Sequence, residues 1–116
     1  MVNEFRRARR RTVADKVPVI DTMTEASVGH LGNVSETGLL MIANAPLVED
    51  ALYQLQFEVA SPTTGRITVE AGAHLLWTST ASAPGQTWAG FRFISVPEAQ
   101  LKLLRQWLDA PGAKYA

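Results

Sequence analysis

The sequence predicts an all-β domain with a C-terminal helix, arranged as a six-stranded antiparallel β-barrel. Three observations predict it. Short segments of alternating apolar and polar residues are separated by Gly, Pro, Asn and Ser clusters, the pattern of consecutive strands with tight connections. One of these segments, residues 66–78, is unusually long and carries Gly72 in its middle, as a strand does when it turns the corner of a barrel. The single segment with helical periodicity comes last, at residues 97–109, so it is expected to cap the barrel.

In chain order, residues 1–16 show no apolar periodicity and are expected to form a mobile arm, with the barrel and helix occupying 17–116. Residues 17–23 alternate around Val17, Val19 and Met23 and form a first strand, placed by Pro18 near an edge or at a strand start. Residues 27–33 form a second strand loosened by Gly29 and Gly32, and the polar turn 33–38 connects it to a third at Leu39, Leu40, Met41 and Ile42. Tyr53, Leu55, Phe57 and Val59 alternate with Gln54, Gln56 and Glu58, which gives a fourth strand with one wet face. In the fifth, Ile67, Val69, Ala71, Ala73, Leu75 and Trp77 share one side. Residues 87–95, with Phe91 and Phe93 on one face, form the sixth. Ser95, Val96, Pro97 and Glu98 read as a capping box. Leu101, Leu104 and Leu108 then share a helix face, and Pro111 with Gly112 ends it.

At 116 residues the chain holds one domain with a real core. Its 47% hydrophobic and 19% charged content argues against disorder. It has no cysteine, which excludes disulfides, thiolate metal sites and a cysteine nucleophile and fits a reducing compartment. No apolar run approaches the ~18 residues of a membrane span, and no apolar secretory segment is present. The expected location is therefore the cytoplasm, without membrane contact. Net charge is zero but unevenly distributed: residues 1–11 carry five Arg and one Glu, for +4, and residues 12–116 carry six basic and ten acidic side chains, for −4. A basic arm that binds RNA or DNA non-specifically would need more cations on the barrel than Lys16, Arg66 and Arg92 supply, so no nucleic-acid partner is expected.

Scattered acidic residues, and the absence of a Gly-x-Ser-x-Gly elbow around Ser35, give no basis for catalysis, and the expectation is a protein that is not an enzyme. His30 and His74 have no metal-ligand spacing and are expected to be structural or solvent-facing. Trp77, Trp88 and Trp107 fall in strand or helix periodicity and are expected to pack in the core or at the barrel rim.

Two features are not explained by folding. Residues 6–11 place five of the eleven basic side chains in six positions, a density of guanidinium groups that calls for an anionic partner. Downstream, Asn33, Ser35 and Gly38 form an Asn-x-Ser-x-x-Gly pattern in the turn. An Arg-x-x-x-Arg motif in an N-terminal arm followed by this turn motif, ahead of a barrel strand pattern with Gly90-Phe91-Arg92-Phe93 and a terminal amphipathic helix, resembles the PilZ domain. That module is the bacterial receptor for cyclic di-GMP. The arginine run admits two registers, Arg7 with Arg11 and Arg6 with Arg10; the first leaves the shorter gap before Val17 and is preferred, with all four as candidates.

The resemblance implies a ligand, cyclic di-GMP, and no further cofactor. It implies binding by Arg6, Arg7, Arg10, Arg11, Asn33, Ser35 and Gly38. It also implies a downstream protein partner in motility, biofilm formation or a related pathway, signalled to when the arm orders over the nucleotide. The alternative is a PilZ-fold interaction adaptor that uses no nucleotide. The ligand's chemistry suits these residue types. Guanine offers O6 and N7 as a pair of acceptors that one guanidinium meets with two hydrogen bonds, and the same group stacks on a purine and attracts a phosphate. Asn33 could read a guanine edge, Ser35 could supply a short polar contact, and Gly38 would let the backbone approach closely.

Overall fold

The structure, a computed structural model, describes residues 8–116. In chain order its elements are β1 (Arg11–Thr12), β2 (Pro18–Asp21), β3 (Ala26–Val34), β4 (Gly38–Ala43), β5 (Leu52–Ser61), β6 (Gly65–Thr80), β7 (Thr87–Ser95) and α1 (Glu98–Leu108). Strands β3, β2, β5, β6, β7 and β4 pair in that order, all antiparallel, and β4 returns to β3. The six expected strands therefore close into a barrel, a closure that leaves no open sheet edge. Inward-facing Val19, Leu31, Leu39, Met41, Phe57 and Leu75 fill it.

Helix α1 packs on β6 and buries Leu104, Trp107 and Leu108 against the barrel. The Trp107 indole N–H donates to the Ala60 carbonyl at 3.1 Å, which fixes how the helix sits. The capping box expected at residues 95–98 does not form. Ser95 remains in β7, Pro97 is the N-cap residue, and no side chain caps the helix. Pro97 needs no partner for a missing N–H, and its carbonyl accepts from the Leu101 amide at 2.9 Å.

The short β1 lies in line with β2 along the same edge of β3, with Arg11 opposite Val34 and Thr12 opposite Asn33. The C-terminal tail runs along its other edge. Thr12 N donates to Lys114 O at 2.7 Å, Ala116 N donates to Arg10 O at 2.9 Å, and Arg11 bridges Tyr115. Of the expected arm at residues 1–16, the part around 10–13 is thus hydrogen-bonded on both sides. Residues 1–7 lie outside the described residues.

Of the register shifts in the barrel, two bulges decide which way Asn33 and Trp77 face. On β3, Leu31 pairs with Met41 but Asn33 pairs with Leu40, so Gly32 is an extra residue. On β6, Leu75 pairs with Phe91 but Trp77 pairs with Gly90, so Leu76 is extra. One inserted residue moves everything after it to the opposite face. Asn33 is thereby turned away from the core, and so is Trp77, which had been expected on the same side as Leu75. Trp77 is 45% exposed on the outside of the barrel. A further register shift falls at Gly72, where the long strand was expected to bend.

Leu104 is fully buried at the helix–barrel contact. Leu104→Ala is expected to cost about 2–5 kcal/mol through lost burial and the cavity left behind. Chemical denaturation of the variant against the parent measures this.

Candidate functional site

Outside the barrel, over β3, β4, β7 and β6, the two bulges open a shallow groove of about 210 Å³ lined by Arg10, Asn33, Leu40, Leu76, Trp77 and Gly90. Its floor is apolar. Gly90 has no side chain, and a Cβ there would run into the Trp77 indole, so the ring lies over the β7 backbone with one face available. At the polar end, Arg10 Nη1 donates to Asn33 Oδ1 at 3.0 Å. A strand alternates its side chains, and Arg10 and Arg11 accordingly point to opposite sides. Arg11 turns to the helix, where Nη1 donates to the Trp107 carbonyl and the guanidinium sits 4.2 Å from the Trp107 ring centroid. That carbonyl belongs to the last turn of α1, where a cation is favoured by the helix dipole. Arg9 follows Arg11, with a 2.7 Å ion pair to Asp109 and its guanidinium over the Tyr115 ring.

The turn between β3 and β4 is held from inside by Ser35, which is completely buried. Its Oγ accepts from the Thr37 amide at 3.1 Å and lies 3.0 Å from Thr37 Oγ1, while its own amide donates to Gly38 O at 2.9 Å. Thr37 O accepts from the Phe93 amide at 2.8 Å, tying the turn to β7. Glu36, at the turn's exposed corner, pairs with Arg105 of α1 at 2.7 Å. Gly38 has no left-handed backbone. A glycine suits the position because a Cβ would strike the Phe91 carbonyl of the neighbouring strand.

The family model of the PilZ domain matches residues 4–110. The chain belongs to the PilZ domain family. PilZ domains are receptor and adaptor modules for cyclic di-GMP, and as a family they bind rather than catalyse. The solved structure of the Bacillus subtilis inhibitor of motility (MotI/DgrA) matches this PilZ domain with a TM-score of 0.70 at 12% sequence identity. The match covers 89% of this chain and 48% of that one. The chain thus spans about half the length of that protein, and the likeness is one of fold. A search of curated proteins gives no match. No helix among the described residues is long and apolar enough to cross a membrane.

Set against the sequence-predicted residues of this PilZ domain, the structure brings Arg10 and Asn33 together at the groove. It carries Arg11 to the helix, buries Ser35 within the turn, and seats Gly38 where β4 begins against β7. Arg6 and Arg7 lie outside the described residues. Sequence reasoning missed the Trp77 and Gly90 pair, although a glycine inside a strand is a signal of close approach. It also missed the tail that pairs with β1, which has no composition to mark it.

With its hydroxyl occupied by the turn, Ser35→Ala is expected to lower stability by about 1 kcal/mol. Gly38→Val is expected to cost more, about 1–3 kcal/mol, because the clash is with backbone that cannot rotate away. Thermal unfolding of both variants measures the order; Gly38→Val melting with the parent would remove the steric account of this position.

Proposed function

We propose that this PilZ domain is a cyclic di-GMP receptor whose groove takes the nucleotide between its arginine arm and the turn at residues 33–38. The observation that carries the reading is the hydrogen bond between Arg10 and Asn33, which joins one member of each motif at the end of an exposed apolar groove. Asn33 holds the guanidinium in a fixed orientation. An arginine oriented before binding loses less freedom when it meets the paired acceptors of a guanine edge. The exposed face of Trp77 gives a purine a surface to stack on. Ser35 acts through the turn it closes, and Gly38 through the close approach of β4 to β7.

This geometry favours the register of Arg6 with Arg10. Arg11 is already engaged by the Trp107 carbonyl and ring, so drawing it to a ligand would first break those contacts. Ordering of the remaining arm over the dianionic nucleotide is the proposed output, read by a protein partner in the cytoplasm. Two ion pairs link the site to α1, Arg9 with Asp109 and Glu36 with Arg105, and they give that change a route to the helix surface.

Calorimetric titration with cyclic di-GMP, using GTP as a control, tests the reading. Arg10→Ala is expected to weaken binding by about 1–3 kcal/mol with little change in melting temperature. Arg11→Ala is expected to lower stability by about 1–2 kcal/mol through its charged hydrogen bond to the helix and to leave more of the affinity. Affinity should fall as salt rises. A parent protein that gives no heat with cyclic di-GMP would leave the interaction adaptor as the reading.

A further inference from the structure

We infer that Arg92 is a further anion-binding residue of this site and meets a phosphate of the ligand at the β7 side of the groove. The inference rests on the reading of the groove as a nucleotide site. Arg92 is exposed on β7, two residues from Gly90 and on the same outer face. Its cross-strand neighbours are Gly38 on β4 and His74 on β6. Gly38 offers no side chain to cover it, and Arg92 lies directly across from the residue that ends the turn Ser35 closes.

Its lack of structural engagement sets it apart. Among the described residues, Arg9, Arg66 and Arg105 each pair with a carboxylate, Arg11 binds the helix carbonyl, and Arg10 binds Asn33. Among the described residues, the Arg92 side chain has no hydrogen-bond or ion-pair partner. The acidic groups on its neighbouring elements have other partners: Asp50 lies 2.6 Å from His74 Nε2, and Glu36 pairs with Arg105. An unpaired guanidinium beside an apolar floor attracts an anion more strongly than one already neutralised by a carboxylate.

The spacing fits a ligand with two phosphates on opposite sides of one ring. From β1 through β3 and β4 to β7 there are three strand spacings, about 14 Å in all. Arg10 and Arg92 are therefore separated by a distance that two extended arginine side chains can span to converge on one ligand between them. Arg10 is the one described cation lining the groove itself, and Arg92 stands just beyond it, two residues along β7 from Gly90.

Arg92→Gln, Arg92→Lys and Arg10→Ala are titrated with cyclic di-GMP beside the parent at several salt concentrations, with melting temperatures recorded. Arg92→Gln is expected to bind about tenfold more weakly, with its salt dependence reduced by about one ion and its melting temperature unchanged. Arg92→Lys, which keeps a charge for a phosphate, should stay within about threefold of the parent. Loss of binding in Arg10→Ala with parental affinity in Arg92→Gln overturns this inference and leaves the groove standing. Equal loss in Arg92→Lys and Arg92→Gln overturns the phosphate assignment, because only a guanine edge demands the planar fork. A parent that does not bind overturns the reading of the groove and this inference with it.

Discussion

A β-strand cannot change which side of a sheet a residue faces except by gaining or losing a position, and the groove depends on that constraint. Continued without interruption, β3 would send Asn33 to the same side as Leu31, into a core with no partner for an amide. The same continuation on β6 would force Trp77 into an interior already filled by Leu75 and Phe91. The extra residues Gly32 and Leu76 resolve both conflicts. They do so on strands that reach the groove from opposite sides, which is why one polar and one aromatic side chain line it at either end, over β4 and β7.

Alternation also divides the arginine run. Once Arg11 and Thr12 are paired with β3, even-numbered Arg10 faces the groove and odd-numbered Arg9 and Arg11 face the helix end. The like charges of Arg9, Arg10 and Arg11 are thereby separated onto two sides, and each meets an acceptor, a carboxylate or a ring. The exposed ion pairs contribute little on their own. Their effect is to connect the motif turn and the arm to one helix.

Where burial decides structure, the chain was legible. Apolar alternation located the strands that close the barrel and the helix that covers it, and Gly72 marked a true irregularity. It failed where backbone pairing or a single inserted residue decides. Nothing in Arg11 and Thr12 announces a strand, since both edges of β1 are satisfied by main-chain bonds from β3 and the tail. Trp77 continues a perfect alternation that the bulge at Leu76 breaks. Ser95 has the right chemistry for a cap but is retained by β7. The family resemblance pointed to the motif residues, yet which arginine meets Asn33 depends on strand phase, and the length of the gap before Val17 carries no information about phase.

The tail pairing has a mechanical corollary. Ala116 N lies 2.9 Å from Arg10 O, so the stretch that enters the barrel and the stretch that leaves it emerge side by side. A module with that geometry can be spliced into a loop of another protein with little rearrangement of its host. The same few main-chain bonds that hold the two ends together also anchor Arg10, so separating the ends would peel away the segment that presents this arginine.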